Sequence, residues 1–173
     1  DLIDDVLEEF SKVKWKHGWA NINDNNFTLE NNQTLTHKFE KIVNETLSEI
    51  EYVVPLKMST SWFTRTEPGD EGKNHYHTNS FYSGIFYFQD DNSKLVVAKE
   101  LPQIHVPFKT TDFGLVAAGD VGLMARKGHM ILIPGNIRHY IQQNITNKDR
   151  NSLAMNFMPD GFCDAEDSSY NYK

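Results

Sequence analysis

Apolar residues recur at three- and four-residue steps in two early stretches of the chain, and this spacing predicts two amphipathic helices. We expect the first helix over residues 2–13 and the second over residues 36–51, with Thr34 or Thr36 as the N-terminal cap of the second. The apolar positions are Leu2, Ile3, Val6, Leu7, Phe10 and Val13 in the first stretch, and Phe39, Ile42, Val43, Leu47 and Ile50 in the second.

After Pro55 the pattern changes to short runs that alternate or are wholly apolar, separated by Gly, Pro, Asn and Asp. The runs are LKMSTSWFTRT, HYHTN, SGIFYF, KLVVAKE, GLVAAGDVGLMA, HMILIP, RHYIQQN and RNSLAMNFMP. Helices followed by many strands predict an α+β, mainly β fold, a jelly roll or barrel flanked by N-terminal helices. We expect one domain over residues 1–159, with a helical part at 1–53 and a barrel at 54–159, followed by a loose polar tail at 160–173.

Composition narrows the class of protein further. The chain has 173 residues and a net charge of −7, and no Lys/Arg block alternates with aromatic residues, which argues against nucleic acid as the main partner. No apolar run approaches the roughly 20 residues of a membrane span, and the acidic start does not resemble a secretory signal. The single cysteine, Cys163, fits a reducing compartment, so we expect an intracellular, cytoplasmic protein. Asn-x-Ser/Thr triplets begin at Asn26, Asn32, Asn44 and Asn144, and carry little weight in a chain so rich in Asn.

Two histidines stand two residues apart in NHYHTN, just before a strand-like run. Because strand side chains alternate, we expect His75 and His77 on the same side, beside Asn79. His139 opens the strand that follows HMILIP, where it could meet the pair across the mouth of a barrel. Neutral imidazole binds iron, zinc and copper, so these three histidines form a candidate metal site. The remaining four are interpreted as ordinary surface or packing histidines: His17, His37, His105 and His129.

The run RNSLAMNFMP places polar and apolar residues on opposite faces of one strand. Leu153, Met155 and Phe157 should pack towards the helices, whereas the face of Arg150, Ser152, Ala154 and Asn156 should line a cavity. A buried arginine is costly without an anion, and its planar guanidinium with a nearby hydroxyl suits a carboxylate.

Ten residues lie between His139 and Arg150, and Arg150-x-Ser152 follows. With the histidines at 75 and 77, this arrangement resembles the 2-oxoglutarate- and iron(II)-dependent oxygenases, whose core is a double-stranded β-helix. The segment SGIFYF looks like the prolyl-hydroxylase branch of that superfamily, with Tyr87 at the position of a tyrosine that contacts the cosubstrate. The string H-x-H-x-N-S-x-x-S-G-x-x-Y followed by G-x-x-I-L-I-P and His is similar to a little-characterised oxygenase subgroup. The resemblance covers roughly residues 58–158.

The resemblance implies an Fe(II) centre and two cosubstrates, 2-oxoglutarate and dioxygen. Arg150, assisted by Ser152 and Tyr87, would hold the far carboxylate of 2-oxoglutarate, and a C–H bond of an unidentified substrate would be hydroxylated with succinate and CO2 as co-products. A prolyl or other peptide side chain is the first expectation, and a small molecule the second. Trp62, Phe63 and Tyr82 are candidates to line the substrate side, and the loops TEPGDEGKN and PQIHVPFKTTDFGL could close over a ligand.

One position departs from the family. The family carries a carboxylate ligand two residues after its first histidine, where this chain has His77. Three ligand sets remain open: all three histidines; a set shifted by two residues that uses Asn79; or a set completed by Asp70 or Glu71 from the preceding loop. We favour three histidines because imidazole is a better donor than a carboxamide. Two other functions also remain open, a cupin-like three-histidine dioxygenase that uses no 2-oxoglutarate and a non-catalytic barrel that binds a ligand.

Overall fold

The computed structural model describes residues 1–15, 22–50, 54–90, 94–98, 120–163 and 169–172. Within these ranges the chain forms two helices and then nine strands. The helices are α1 (Leu2–Ser11) and α2 (Gln33–Ser48), and the strands are β1 (Leu56–Thr66), β2 (Tyr82–Tyr87), β3 (Lys94–Val97), β4 (Val121–Met124), β5 (His129–Pro134), β6 (His139–Ile141), β7 (Arg150–Pro159), β8 (Gly161–Cys163) and β9 (Tyr170–Tyr172). No helix within them is long and apolar enough to cross a membrane.

Both helices form where the periodicity predicts them, and side chains close their first turns. The Asp1 carboxylate accepts a hydrogen bond from the backbone of Asp4 and caps α1. The cap of α2 is Asn32, whose Oδ1 accepts from the backbone of Leu35 at 3.0 Å. The prediction of Thr34 or Thr36 as this cap is therefore wrong, because the helix begins a turn earlier and Thr36 lies inside it.

Four strands form the larger sheet in the order β1-β7-β2-β5, with every pairing antiparallel. The alternation predicted for β7 is confirmed: Leu153, Met155 and Phe157 are buried in the core that also contains Phe39 and Val43 of α2. The side chains of this main core come from both helices and one face of the larger sheet. The helices thus cover that face, and the opposite face of the sheet is left to line a site.

The smaller sheet has the order β4-β3-β6 and is also antiparallel. A second apolar cluster contains Ile85 and Tyr87 of β2 together with Leu95 of β3 and Ile141 of β6, so it joins the inner faces of the two sheets. The expected double-stranded β-helix with flanking N-terminal helices is confirmed. The chain passes from one sheet to the other between β5 and β6, so His139 lies on the smaller sheet and not next to β5.

Two segments differ from their predicted structure. HYHTN is not a regular strand: only His75 forms a bridge, and the next strand begins at Tyr82. The expected loose tail contains the β8–β9 pair, in which Gly161 is the register partner of Tyr172. The polar composition correctly predicted a loop at residues 67–74. It did not predict the short β8–β9 pairing, in which both strands carry exposed aromatic residues.

The outer edge of β1 is closed by side chains and by two isolated bridges, at Ile22 and Phe27, rather than by another long strand. The amide of Asn44 bonds both backbone groups of Leu56, the first residue of β1, at 2.8 and 3.0 Å. Glu40 accepts from the backbone of Met58, and Asn23 accepts from that of Phe63. Paired backbone groups stop an exposed edge from recruiting another strand, which keeps β1 in its place on the sheet.

Candidate metal centre and its cavity

A cavity of about 470 Å³ lies between the inner faces of the two sheets. Its wall on the larger sheet includes Ser152 and Ala154, and its wall on the smaller sheet includes Leu95 and Ile141. The irregular segment that replaces the expected HYHTN strand forms one rim. The strand face predicted to line a cavity does so at positions 152, 154 and 156.

His75, His77 and His139 line this cavity together, and we call them the three-histidine cluster. One ring nitrogen from each lies within 4.8 Å of the others. The ring centroids of His75 and His139 are 4.4 Å apart, and the rings of His77 and His139 are nearly parallel at 5.2 Å. Two nitrogens bound to one ion at about 2.1 Å cannot lie more than about 4.2 Å apart, so a small side-chain adjustment is enough to close the cluster on a metal.

Backbone pairing, not strand alternation, brings these rings together. His75 and His139 exchange both backbone hydrogen bonds, at 3.0 and 2.8 Å, so their two chain segments are fixed directly opposite each other. The backbone of His77 donates to the carbonyl of Gly135 at 2.9 Å, in the turn between β5 and β6. The segment that carries His75 and His77 is therefore bound along β6 and its preceding turn.

Two of the three rings are oriented by backbone carbonyls. Nδ1 of His75 lies 2.7 Å from the carbonyl oxygen of Lys73, and Nδ1 of His139 lies 2.9 Å from that of Ile137. A carbonyl only accepts, so each Nδ1 carries the proton and each Nε2 keeps its lone pair for a metal. The ring of His77 is held differently, packed between His139 and Trp62, whose ring centroid lies 5.8 Å away.

Burial favours the neutral form of two rings of the cluster. The pKa of His77 is lowered from its ordinary value to about 4, chiefly because burial disfavours the charged ring and also because His139 and His75 are close. Burial also lowers the pKa of His139, although the hydrogen bond to Ile137 opposes that shift. Since a metal competes with protons for imidazole, rings that are already neutral are better ligands at neutral pH.

The alternative ligands do not converge in the same way. Asp70 and Glu71 are exposed on the loop before His75 and do not join the cluster of potential metal ligands among the described residues. Asn79 is exposed and lines the cavity, but it lies beyond the turn contact that fixes His77. The described lining includes Lys73 and contains neither Asp nor Glu, although the chain as a whole carries 24 acidic residues.

The three residues expected to hold the far carboxylate of 2-oxoglutarate are all buried. Ser152 lines the cavity, and its hydroxyl is 2.7 Å from that of Thr64. Arg150 is 4% exposed, and its Nη1 donates to the carbonyl of Gln142 at 3.1 Å. Tyr87 is 1% exposed within the second apolar cluster. Arg150 and Tyr87 are not lining residues, but each shares a strand face with a lining residue two positions away, Ser152 and Ile85 respectively.

Among the aromatic candidates only Trp62 lines the cavity. Phe63 faces the main core, and Tyr82 packs against that core, so neither lines the cavity. Alternation along β1 separates Trp62 from Phe63, and this could have been applied to the sequence. Tyr76 also lines the cavity and is 46% exposed. Its role was not predicted, because the interpretation of this segment concerned only the histidines on either side of it.

Two of the other four histidines, His37 and His129, lie within the described residues. His129 is exposed, and His37 lies on α2 beside a separate surface pocket, so neither joins the cluster. His17, His105 and the loop PQIHVPFKTTDFGL lie outside the described residues.

Comparison with known proteins agrees with this geometry. A family model described as "Putative 2OG-Fe(II) oxygenase" matches residues 60–156, more than half of the chain. The matched span begins on β1 and ends on β7, and it contains the three-histidine cluster, Arg150 and Ser152. Comparison with curated proteins gives no match.

Several solved structures share the fold. An oxidoreductase of the 2OG-Fe(II) oxygenase family from Burkholderia pseudomallei superposes with a TM-score of 0.64 at 11% identity, covering 90% of this chain and 76% of that one. HygX from Streptomyces hygroscopicus, solved with nickel, 2-oxoglutarate and hygromycin B, gives 0.60 at 12% identity, covering 91% and 78%. The α-ketoglutarate-dependent epimerase SnoN from nogalamycin biosynthesis gives 0.61 at 14% identity, covering 91% and 73%. At these identities the likeness concerns the fold alone.

Proposed function

The chain belongs to the family of 2-oxoglutarate- and iron(II)-dependent oxygenases, and we propose that it hydroxylates a C–H bond of a substrate admitted to the cavity beside Trp62. The observation that supports this most directly is the convergence of three imidazoles on one rim of the cavity, two of which burial keeps neutral. Succinate and CO2 would be the co-products.

His75, His77 and His139 are proposed to hold the iron. The donor set fits: three imidazoles suit iron(II), carbonyl groups orient two of them, and burial favours the neutral form of His77 and His139. When bound, iron would supply the activation of oxygen that protein side chains cannot provide. The residues around it would orient the reactants between the two sheets that bound the cavity.

Arg150, Ser152 and Tyr87 are proposed to bind the far carboxylate of 2-oxoglutarate. Ser152 already faces the cavity, and Arg150 precedes it on the same strand face. Thr66, the register partner of Arg150, also lines the cavity, so Arg150 lies on the face of the sheet that forms this wall. Tyr87 shares its strand face with Ile85, another lining residue. A small rotation of these side chains would present donors to an anion, which a buried arginine needs.

The charge of the lining bears on the substrate. Lys73 is cationic, the described lining includes no carboxylate, and most of its polar groups are hydroxyls and amides. A cationic substrate would find no opposite charge there, so we propose a neutral or anionic one. The exposed ring of Tyr76 and the half-buried ring of Trp62 would supply the apolar contacts. A peptide side chain and a small molecule both meet this description.

Binding of 2-oxoglutarate to metal-loaded protein tests the proposal. We expect titration calorimetry with manganese(II) as the inert ion to show metal-dependent binding, and the iron(II) protein to convert 2-oxoglutarate to succinate. Arg150→Ala should weaken 2-oxoglutarate binding by about a hundredfold, corresponding to roughly 3 kcal/mol for loss of a buried ion-pair partner. Metal content should not change.

Arg65→Ala is the matched control. Arg65 is the register partner of Asn151, next to Arg150 on the same sheet, but its guanidinium lies over the ring of Trp15 and beside Glu67, away from the cavity. This variant should bind 2-oxoglutarate as the parent does. Equal binding by Arg150→Ala and the parent would show that the assignment of Arg150 is wrong.

One observation favours a second function. A lining with three histidines and no carboxylate among its described residues is also what a dioxygenase that needs no 2-oxoglutarate would use. In that case iron would bind, 2-oxoglutarate would neither bind nor be consumed, and Arg150→Ala would leave every metal-dependent property intact. Failure to bind any metal would instead indicate a non-catalytic barrel.

A further inference from the structure

Asn144 is a buried asparagine whose whole amide is used. It is 3% exposed, and its Nδ2 donates to the carbonyls of Thr66 at 2.9 Å and Lys148 at 2.8 Å. Its Oδ1 accepts from the backbone and the hydroxyl of Thr146, at 3.1 and 2.7 Å. Two donors and two acceptor positions are the full capacity of a carboxamide. The Asn-x-Thr triplet that begins here therefore has a structural use.

One of these bonds reaches the end of β1, and the other three lie within the turn that leads into β7, the neighbour of β1 in the larger sheet. Thr66 is the last residue of β1, and residues 146–148 form the turn from which the chain enters β7 at Arg150. Thr66 and Arg150 are register partners. The side chain of Asn144 thus fixes the point at which Arg150 begins its strand.

The backbone of Asn144 makes a third connection, to the loop that leads to the metal site. Its N–H donates to the carbonyl of Asp70 and its carbonyl accepts from Gly69, both at 2.8 Å. Gln143 adds a side-chain bond to the carbonyl of Gly69 at 2.8 Å. His75 lies five residues after Asp70. Asn144 is therefore hydrogen-bonded to the loop that leads to a proposed ligand and to the turn that leads to Arg150.

We propose that Asn144 is a positioning residue that sets the separation between the three-histidine cluster and Arg150. The inference rests on the proposed function, because this separation matters only if 2-oxoglutarate binds between the metal and Arg150. An iron-bound 2-oxoglutarate must span the gap from the metal to the guanidinium, and a ligand of fixed length senses an error of well under 1 Å at either end. Asn144 lies between His139 and Arg150 in the sequence, and it bonds both to the loop that precedes His75 and to the end of β1.

The carboxamide is specifically required. Aspartate has the same shape, but its carboxylate cannot donate and would face the carbonyl oxygens of Thr66 and Lys148. Alanine would leave those carbonyls and the Thr146 groups without their partner. Thr146→Val is a milder change, since it keeps the side-chain shape and removes a hydroxyl that donates to Oδ1 and also contacts the backbone of Lys148, at 3.1 and 3.4 Å.

Asn44→Ala provides a matched control. Asn44 also uses both ends of its amide on β1, but it bonds Leu56 at the other end of the strand. Ten residues separate Leu56 from Thr66, roughly 33 Å along a strand. Loss of either asparagine should lower thermal stability, whereas only loss of Asn144 should change the site.

The experiment compares Asn144→Asp, Thr146→Val and Asn44→Ala with the parent by thermal unfolding, manganese(II) titration and 2-oxoglutarate titration at saturating manganese(II). We expect Asn144→Asp to weaken 2-oxoglutarate binding at least tenfold and manganese(II) binding severalfold, as for other residues that orient the groups of a metal site. Thr146→Val should give a smaller loss of the same kind, and Asn44→Ala should bind both within twofold of the parent.

Two results would overturn the inference. One is binding of both manganese(II) and 2-oxoglutarate within twofold of the parent by both Asn144→Asp and Thr146→Val. The other is a loss in Asn44→Ala as large as in Asn144→Asp, since a general loss of stability would then explain both. A parent that binds manganese(II) but no 2-oxoglutarate would contradict the proposed function instead, and the manganese(II) titrations would still decide whether Asn144 orients the cluster. If Asn144→Asp does not fold, Thr146→Val decides.

Discussion

Gly135 permits a backbone approach that holds His77 in place, so a single methyl group there should disable the metal site. A Cβ on Gly135 would lie 2.0 Å from the carbonyl oxygen of Ser80 and 2.7 Å from its carbon, whereas real Cβ atoms essentially never approach below 3.0 Å. The two backbones must therefore separate by at least 1 Å in Gly135→Ala. Gly135 also accepts from the backbone of His77 and donates to the carbonyl of Phe81, so both hydrogen bonds are strained by that movement.

The size of the effect follows from these contacts. Overpacking costs about 1–3 kcal/mol and each hydrogen bond about 1 kcal/mol, so we expect Gly135→Ala to lower the free energy of unfolding by about 3 kcal/mol. A shift of about 1 Å in His77 exceeds the tolerance of about 0.5 Å for a metal ligand, so metal affinity should fall at least about tenfold. Denaturant unfolding and manganese(II) titration, both below the unfolding temperature, measure the two effects separately.

Gly161→Ala is the control for Gly135→Ala. Gly161 has a φ of +101° and open space around its missing side chain, so alanine there introduces backbone strain of about 1–2 kcal/mol and no clash. It should be less stable than the parent yet bind manganese(II) normally. Parent-like metal binding by Gly135→Ala would refute the argument that this turn positions His77.

Alanine at any member of the three-histidine cluster should yield protein nearly free of iron by plasma mass spectrometry. Asn79→Ala should keep its iron, and His77→Asp should bind iron through the carboxylate that the family uses. An iron-free Asn79→Ala beside an iron-loaded His75→Ala would shift the site by two residues. The metal-free protein should lose stability as pH falls, because His77 takes up its proton near pH 6.5 when unfolded but only near pH 4 when folded. The unfolded state therefore binds more protons between these values, and the loss should reach about 2–3 kcal/mol after allowance for partial exposure. His77→Gln should flatten this pH dependence in urea unfolding, and an unchanged slope would contradict the buried, neutral state of that ring.

Features that depend on near neighbours in the chain were predictable. The helical stripes of α1 and α2 and the alternation of β7 follow from side-chain periodicity, and Phe39 and Phe157 meet in the main core as expected. The resemblance also led to the correct family and fold. The cap of α2 was missed because Asn32, Thr34 and Thr36 are all acceptable caps by residue type, and packing decided among them.

The three histidines lie together as expected, but for a different geometric reason. His75 and His77 were expected to share a strand face, yet they lie on an irregular segment whose partners are His139 and Gly135. Donor chemistry favoured imidazole at position 77, and the exposed position of Asp70 agrees with that preference. The roles of the three histidines as ligands, and of Arg150, Ser152 and Tyr87 in cosubstrate binding, stay predictions.

The sequence by itself determined which residues are candidates for the chemistry and which side of a strand such as β7 is apolar, because residue type and period are local properties of the chain. Only the tertiary structure decided how far apart these groups lie. The exchange of backbone bonds between His75 and His139 joins residues 64 positions apart, and the amide of Asn144 joins the end of β1 to the start of β7. Such contacts depend on register between strands of two sheets, which is set by the packing of the whole core and leaves no periodic trace in the sequence.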